Sequence, residues 1–278
     1  MKKLLMAAVV ATLATNAIAD TNSLKTKTAH EVGISVSSYE YKEPYKAEHD
    51  FWMKLDAVNY GVNYLGTYKI NDNWFALGNM SYKRGDDDYK SSGTGTDKNI
   101  GKDIFEVKVA IGRDFDFDKF VVSPYAGLGY RYLDSDWAGH TSSTGAFGYG
   151  RESNYFYLPI GTFHRMNLGS ESKLETNIEY DYLIKGTQDT NLKDLIGRGG
   201  ITAIDNASNK QNSGYGLKAS AIYKQNNFGF GPYAEYWNIN RSDNACGFGT
   251  VSGTTYSGCV FEPANRTIEY GLKASYTF

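Results

Sequence analysis

Apolar and polar residues alternate along ten separate segments of this sequence. In the segment that ends at Phe278, apolar or aromatic residues occupy every second position from Ile268 onward, and small, polar or charged residues stand between them. Successive side chains of a β-strand point to opposite faces, so a period of two predicts strands with one apolar and one polar face. The ten segments cover residues 30–42, 54–70, 74–85, 103–115, 120–134, 153–166, 173–186, 213–225, 228–240 and 266–278.

The connections between these segments alternate between short and long. Residues 71–73, 116–119, 167–172 and 226–227 are short and rich in turn-forming residues, whereas residues 43–53, 86–102, 135–152, 187–212 and 241–265 are long. This order predicts an antiparallel meander whose long loops all leave from one end. The strands exceed the usual length of about five or six residues and suit a tilted crossing of a membrane.

An open sheet edge in lipid would leave backbone groups unpaired, at a cost of several kcal/mol each, so such a sheet must close. The predicted fold is therefore all-β: a transmembrane, antiparallel, up-and-down β-barrel of about ten strands with short periplasmic turns and long extracellular loops. The 23 tyrosines and 30 glycines, against only 5 prolines, fit many strands joined by tight turns.

The N-terminus has the organisation of a secretory signal peptide. Lys2 and Lys3 precede an apolar run over residues 4–14, and the small residues Ala17 and Ala19 precede Asp20. We expect cleavage between Ala19 and Asp20, which makes residues 1–19 a signal peptide and residues 20–278 the barrel domain. A membrane anchor is the alternative, but so short an apolar run does not span a bilayer, and no later segment predicts a transmembrane helix.

Three phrases and the end of the chain resemble a known group of proteins. A terminal strand ending in Tyr276-Thr277-Phe278 resembles the closing signal of bacterial outer-membrane β-barrel proteins, which their assembly machinery recognises. The phrases "GLGYRYL", "RESNYFYLPIG" and "GPYAEYWNI" resemble a little-characterised group of small, 8–10-stranded, single-chain outer-membrane barrels of Gram-negative bacteria. The resemblance implies the cell outer membrane as location, Tyr276 and Phe278 as a C-terminal assembly signal, and outer-membrane lipid and the assembly machinery as partners. It implies no particular activity.

The alternative fold is a soluble periplasmic sandwich or lipocalin-like barrel, in which the apolar face would point inward. The polar face carries too many charges and glycines to be a solvated exterior around a large core, so we expect the apolar face to meet lipid. The lumen then receives charges of both signs: Glu106, Lys108, Arg131, Glu175, Glu179, Asp181, Lys185, Lys218, Glu235, Glu269 and Lys273. Because buried charges need partners and a barrel of this size is narrow, we expect a largely occluded lumen, with a small water-filled pore as the alternative.

Cys246 and Cys259 are the only cysteines, and both fall in the last long loop. In an exported chain, such a pair predicts a disulfide, which would stabilise the loop by about 3 kcal/mol. Two free thiols, or half of a metal site, are the alternatives.

Two motifs invite a comparison with surface hydrolases. Asp86-Asp87-Asp88 resembles the aspartates of omptin proteases, which work with a His–Asp dyad at the barrel mouth, but the fourth long loop contains no histidine that could act as a base. His140 and Ser142, with Glu152 further on, resemble the His-x-Ser pattern of outer-membrane lipid A deacylases. Because these three common residues fall in a loop rich in Gly, Ser and Thr, they are weak evidence for a deacylase site.

Other candidate sites are weaker still. Residues 114–118 begin like a calcium loop but lack Gly at the sixth position and Glu at the twelfth. Gly93 and Gly95 have no phosphate-loop lysine after them. His30, His49 and His164 are scattered without metal-ligand spacing. We therefore expect no metal, no cofactor and no catalytic residue.

These observations favour a monomeric, non-enzymatic barrel with a structural or surface-interaction role. Its five extracellular loops would meet a ligand or a host surface, because loops on a rigid scaffold usually carry function. A small porin-like channel is the second hypothesis, and a surface hydrolase of the protease or deacylase type is the third. The 29 basic and 31 acidic residues, with a formal net charge of −2, give no electrostatic case for nucleic acid as a partner.

Overall fold

The computed structural model describes residues 23–44, 51–169 and 171–278, so the predicted signal peptide and its cleavage site lie outside the described residues. In chain order the strands are β1 (Ala29–Glu43), β2 (Met53–Lys69), β3 (Trp74–Ser91), β4 (Gly95–Arg113), β5 (Phe115–Phe117), β6 (Phe120–Asp136), β7 (Arg151–Asn167), β8 (Ser172–Thr190), β9 (Ile201–Ile204), β10 (Ala207–Lys210), β11 (Gly214–Gln225), β12 (Phe228–Ile239), β13 (Asn244–Val251), β14 (Thr254–Phe261) and β15 (Asn265–Thr277). No helix among these residues is long and apolar enough to span a membrane.

Ten of these strands form one closed antiparallel barrel in the order β1-β2-β3-β4-β6-β7-β8-β11-β12-β15. The ring closes because β15 pairs with β1 from Glu31 opposite Thr277 to Lys42 opposite Arg266. Beyond this ladder, His30 and Phe278 exchange two backbone hydrogen bonds of 2.9 and 3.1 Å. The predicted ten-stranded barrel, with its last strand closing on its first, is confirmed.

The outward face is apolar between two rings of aromatic side chains. Ile34, midway along β1, is 65% exposed, as expected for a residue that meets lipid. Near the periplasmic turns the outward aromatic residues include Tyr68, Trp74, Phe117, Phe228, Tyr276 and Phe278, and toward the outside they include Tyr82, Phe156, Tyr182 and Tyr270. Such paired girdles mark the two interfaces of a membrane barrel.

Several strands continue beyond the outer aromatic ring. After Tyr82, the outward positions of β3 carry Arg84, Asp86 and Asp88. The expectation of a long loop over residues 86–102 is wrong, because β3 runs to Ser91, β4 begins at Gly95, and only residues 92–94 connect them. The charged residues in this stretch lie on an outer face that meets water, and the backbone hydrogen bonds between β3 and β4 continue through it. Gly95 has a φ of 75°, a left-handed conformation that suits glycine at such a tight connection.

The other outer connections are also partly ordered into strands. Residues 187–212 contain the end of β8, a short 3₁₀ helix at Leu192–Leu195, β9 and β10. Residues 241–265 contain the β13–β14 hairpin, and β9, β13 and β14 form a separate three-stranded sheet. On the periplasmic side, β5 pairs with β6 and shortens the predicted turn at 116–119 to Asp118 and Lys119.

A β-bulge changes which residues of β8 face inward. Phe156 of β7 lies opposite Lys185, whereas its neighbour Tyr157 lies opposite Leu183, so Ile184 is an extra residue without a partner. One extra residue exchanges the two faces of the strand beyond it. Leu183, before the extra residue, is buried like the other odd-numbered positions, whereas Lys185, beyond it, is exposed on the outer face. The prediction that Lys185 lies in the lumen is wrong for this reason.

Four carboxylates stand in a row across the outer extensions of four adjacent strands. Asp103 lies opposite Asp134, Asp134 opposite Glu152, and Glu152 opposite Asp189. Arg84 Nη1, 3.8 Å from Asp103, is the one cation that forms an ion pair with this row within the described part of the chain. Like charges directly opposite each other on neighbouring strands are destabilising. The row is thus a source of repulsion just outside the membrane.

The first prediction concerns the lipid-facing surface. Ile34→Arg should lower the free energy of unfolding by about 2–4 kcal/mol, because it places a charge near the middle of the membrane. Ser38→Arg, on the same face of the same strand but at the outer ring, should cost only about 0–1 kcal/mol. Urea unfolding of the protein refolded into lipid vesicles measures both, and equal losses would contradict the assigned membrane position.

The second prediction concerns the carboxylate row. Asp134→Asn should raise the free energy of unfolding by about 0.2–1 kcal/mol, because it removes the repulsion of Asp134 with Asp103 and with Glu152. Asp118→Asn, which removes the same charge from a periplasmic turn, should change it less.

The advantage of Asp134→Asn should shrink as the pH falls below neutral. Burial, followed by the charge of Glu152, raises the pKa of Asp134. Protonation of the native carboxyl then removes the same charge that the substitution removes, so the wild type gains stability relative to the variant as the pH falls through that pKa. A difference that stays constant or grows toward acid pH would count against the repulsion.

Candidate functional site

Charged side chains from opposite walls of the barrel meet in the middle of the lumen. Lys218 Nζ, on β11, forms an ion pair across the lumen with Glu106 of β4 and lies 3.1 Å from Asp181 Oδ2 and 3.5 Å from Glu179 Oε1 on β8. Lys108 Nζ is 2.5 Å from Glu179 Oε2. These contacts tie three strands together through one buried cluster.

A second cluster continues the first toward β12 and β15. Lys83 Nζ lies 2.9 Å from Glu235 Oε1 and 2.8 Å from Glu269 Oε1. Arg131 Nη1 joins the two clusters, at 3.5 Å from Glu106 and 3.9 Å from Glu235. We call the whole set the central network; its members are Lys83, Glu106, Lys108, Arg131, Glu179, Asp181, Lys218, Glu235 and Glu269.

Tyrosine rings fill much of the space that the charged groups leave. The Tyr157 hydroxyl donates to Glu106 at 2.9 Å, and the Tyr125 hydroxyl donates to Glu179 at 2.6 Å. The ring of Tyr157 lies so close to Gly129 that a Cβ there would collide with it. The lumen at this level is therefore occupied by side chains, although a small polar cavity of about 150 Å³, lined in part by Lys108 and Tyr233, lies beside the network.

The N-terminal segment closes the periplasmic end. Leu24 is completely buried, and Thr26 donates from its backbone N–H to Asp114 Oδ2 at 2.8 Å. Arg165 Nη1 donates to Thr26 Oγ1 at 3.2 Å, and its Nε lies 2.5 Å from Glu175 Oε2. Residues 23–28 thus cross the opening beneath the central network.

A larger cavity of about 510 Å³ lies at the opposite, extracellular end, and we call it the outer cavity. Its walls come from several outer parts of the chain. Phe51 precedes β2, Tyr89 lies in β3, Trp137 and Tyr149 lie between β6 and β7, and Phe261 ends β14. Small-molecule sites of proteins occupy about 300–1,000 Å³ and are found at the mouths of β-barrels.

The aromatic wall of the outer cavity is held in a fixed position. The ring centroids of Tyr89 and Trp137 are 4.4 Å apart, and those of Trp137 and Tyr149 are 6.4 Å apart. Trp137 Nε1 donates to Asp97 Oδ2 at 2.6 Å, and His140 Nδ1 lies 3.2 Å from the same oxygen. Asp97 therefore anchors the indole plane from behind.

Two ionisable groups of this wall have shifted pKa values. Burial alone would raise the pKa of Asp97, but the hydrogen bond from Trp137, the backbone N–H of Lys98 and the nearby His140 lower it overall. Asp97 thus stays an ionised acceptor at neutral pH. Burial raises the pKa of the Tyr149 hydroxyl, so this ring stays neutral.

Charged groups line another part of the outer cavity. Arg151 Nη2 pairs with Glu262 and lies 3.5 Å from Glu43 Oε1. The Tyr41 hydroxyl donates to Glu43 at 2.9 Å and lies 3.3 Å from Glu262 Oε1. Both carboxylates are buried, and 19% of the Arg151 side chain is exposed.

The cysteine pair stands at one edge of this cavity. Cys246 and Cys259 lie opposite each other in the β13–β14 hairpin and are joined by a disulfide. Cys259 lines the outer cavity together with the residues that follow it, up to Pro263. The bond therefore holds together the hairpin that supplies this wall.

The motifs that resemble hydrolase sites are not assembled into those sites. His140 contacts Asp97, whereas Ser142 Oγ accepts from the backbone N–H of Ala146 at 3.2 Å. Glu152 belongs to the outward carboxylate row. Asp87 was expected in the long loop over residues 86–102, but it is buried in β3, 2.5 Å from Lys102 Nζ.

The residues that resemble a calcium loop, and the scattered histidines, contact neighbouring parts of the barrel. Asp114 accepts from Thr26 and Ser123, and residues 115–117 form β5. His30 stacks near Tyr64 and Phe278, His164 packs near Phe120, and His49 lies outside the described residues. No group of three or more potential metal ligands occurs in the part of the chain that the structure describes.

The predicted lumen charges, apart from Lys185, lie inside the barrel. Glu106, Arg131, Glu175, Glu179, Asp181 and Glu269 are buried, and Lys108, Lys218, Glu235 and Lys273 are half-buried. Glu175 and Lys273 belong to the periplasmic end, where Lys224 and Glu31 join them. Tyr276 and Phe278 face outward at the periplasmic rim.

Sequence reasoning missed the outer cavity and the N-terminal segment. A signal for the cavity was present, since Trp137, Phe147, Tyr149 and Arg151 occur close together in a stretch otherwise rich in Gly, Ser and Thr. Large aromatic residues in an exposed loop are unusual unless they bury against something. Leu24 carried no comparable signal.

The third prediction tests the central network. Lys218→Met should lower the free energy of unfolding by about 3–5 kcal/mol, because it leaves buried carboxylates without their cation. Lys185→Met is the matched control, since this lysine faces outward, and it should change stability by less than about 0.5 kcal/mol. Urea unfolding in lipid vesicles measures both variants. Similar losses in the two would contradict the assigned faces.

Comparison with known proteins places this geometry in a family. The outer membrane protease OmpT from Escherichia coli has the same fold with a TM-score of 0.56 and 12% identity, over 91% of this chain and 98% of that chain. Two other solved structures align less well. They are the translocator domain of the autotransporter NalP from Neisseria meningitidis (13% identity, 92% and 91% covered, TM-score 0.39) and Ail, the attachment invasion locus protein of Yersinia pestis (10% identity, 91% and 100% covered, TM-score 0.33).

Likeness at this level of identity shows a shared fold and carries no activity from one protein to another. None of the curated proteins matches the chain. Residues 5–195, more than half of the chain, match the model of the outer membrane protein beta-barrel domain. The chain therefore belongs to the outer membrane protein beta-barrel domain family, whose place is the outer membrane of Gram-negative bacteria.

Proposed function

We propose that this chain is a non-conducting barrel of the outer membrane that binds an extracellular ligand at its outer end. The observation that carries the proposal is the contrast between the two ends of the lumen. The outer end holds a cavity of about 510 Å³, whereas the middle is crossed by paired charges and the periplasmic end holds residues 23–28.

The central network supports a closed lumen because its contacts reach from one wall to the other. Lys218 and Glu106 belong to strands on opposite sides of the ring, as do Arg131 and Glu235. An ion would have to displace these partners, and breaking a buried ion pair costs about 3–5 kcal/mol. Thr26 and Arg165 add a second barrier below.

The outer cavity supports a binding role because it is concave, aromatic and rigid. Large aromatic side chains supply much of the energy of many binding sites, and concave pockets with a few polar groups are the usual ligand sites. The cavity lies on loops and strand extensions carried by a rigid barrel, an arrangement that commonly serves recognition.

In this proposal the barrel acts as a monomer, and its ten strands close on themselves and leave no open edge for strand pairing with a partner. Its partners are the surrounding lipid, the barrel-assembly machinery and an extracellular ligand or host surface. Tyr276 and Phe278 are the proposed assembly signal.

A narrow channel is the second candidate. It is favoured by the polar cavity of about 150 Å³ beside the central network, whose lining includes Lys83, Lys108, Lys273 and Glu235. This cavity would supply a hydrated stretch of a pathway if the network rearranged.

The proposal includes the absence of catalysis. His140 bonds to Asp97, which also holds Trp137, so this pair positions an aromatic ring and leaves Ser142 without a base. Cleavage of a peptide or deacylation of lipid A by the purified barrel, lost in His140→Ala, would contradict it.

The fourth prediction is made for single-channel recordings. The mature chain refolded into a planar bilayer should show no conductance steps under an applied voltage. Deletion of residues 20–28 should also leave the lumen closed, because the central network remains in place.

Steady conductance steps in the wild-type chain would overturn the non-conducting proposal and favour the channel. Steps that appear only after the deletion would contradict the second part of the prediction, since they would make residues 23–28 the main barrier. Replacement of residues 244–260 by a short Gly/Ser linker is the control for the outer loops, and it should not change the recordings.

A further inference from the structure

The chemistry of the outer cavity restricts the ligands that fit it. Among the residues that line it, the charged ones are one cation, Arg151, and two buried carboxylates, Glu43 and Glu262, that hold it. An anionic ligand would be repelled by the carboxylates, and a cationic ligand would have to approach Arg151. A neutral ligand that both donates and accepts hydrogen bonds avoids both penalties.

Arg151 has donors left for such a ligand. Its ion pairs engage Nη2, and within the described residues neither Nη1 nor Nε has a hydrogen-bond partner. Since a guanidinium has five N–H donors in one fixed plane, Nη1 and Nε of Arg151 can each donate to a ligand oxygen. The carboxylates of Glu43 and Glu262 have further acceptor capacity beside it.

The aromatic part of the cavity fits a ligand with a flat apolar side. Tyr89, Trp137 and Tyr149 form a continuous set of rings, and the hydrogen bond from Trp137 Nε1 to Asp97 fixes the central indole. A pyranose ring has this combination: one face made of C–H groups that stack on an aromatic ring, and hydroxyls at its edge that donate and accept.

We propose that the outer cavity binds neutral saccharides, with the sugar ring against Trp137 and its hydroxyls on Arg151 and the flanking carboxylates. This inference rests on the proposed function, because it names the ligand class of the same cavity. The volume of about 510 Å³ lies within the range of small-molecule sites, so the ligand is a short saccharide or the end of a longer glycan. Sulfated and uronic-acid sugars are disfavoured by Glu43 and Glu262.

Calorimetric titration and tryptophan fluorescence test the proposal on the full mature chain in a sugar-free polyoxyethylene detergent. The probes are glucose, galactose, lactose and maltose as neutral sugars, glucuronate as an anion and choline as a cation. We expect at least one neutral sugar to bind with a Kd in the millimolar range or tighter, and glucuronate and choline to bind more weakly.

Three variants separate a stacking role from a structural one. Trp137→Ala should weaken binding about tenfold or more, which corresponds to about 1.4 kcal/mol. Trp137→Phe keeps an aromatic face but loses the hydrogen bond to Asp97, and it should retain most of the affinity. Trp74→Ala, on the lipid-facing surface at the periplasmic ring, is the matched control and should bind like the wild type. Circular dichroism checks that each variant is folded.

Binding of none of the neutral sugars, or tighter binding of choline or glucuronate, would overturn the saccharide assignment. Equal losses in Trp137→Ala and Trp137→Phe would also overturn it, because the indole would then act only through Asp97. These results leave the bilayer recordings untouched, so the ligand class can fail while the non-conducting proposal stands. Conductance in the wild type would defeat that proposal whatever the titrations show.

Discussion

The hydrocarbon interior of a membrane offers no hydrogen-bond partner to a peptide group, and this constraint organises the whole molecule. Every backbone group of a crossing strand must be paired within the sheet, so β15 has to return to β1 and close the ring. The apolar face of each strand contacts the hydrocarbon, so the charged face points into the lumen. Charges enclosed there are costly unless paired, and the central network follows from that cost.

Outside the membrane, water can satisfy unpaired backbone groups, but the sheet nevertheless continues there. Above Tyr82 and its neighbours, strands β3, β4, β6, β7 and β8 continue into water, with charged residues on their outer face and buried residues inside. This outer extension carries both the carboxylate row and the wall of the outer cavity. A rigid sheet rather than a flexible loop therefore holds Tyr89 and Asp97, and Asp97 in turn positions Trp137.

The two-residue period predicted the membrane part of the barrel closely. The first segment was expected at 30–42 and is found at 29–43, and the last was expected at 266–278 and is found at 265–277. The same period failed over residues 86–102, because polar residues on a wetted strand look like a loop in sequence. It also could not detect the extra residue Ile184, since a bulge depends on pairing with β7. The outer cavity joins parts of the chain far apart in sequence, so local patterns did not reveal it.

The bulge at Ile184 changes which residues of β8 face the lumen on its two sides. Below it the inward positions of β8 carry odd numbers, such as Glu179 and Asp181, and above it they carry even numbers, such as Gln188 and Thr190. If β8 paired with β7 without a bulge and kept all its residues, Gln188 and Thr190 would turn toward water and Asp189 toward the interior. The bulge is therefore as strict a requirement as the chemistry of any side chain, and it sets which groups the barrel can present beneath its outer opening.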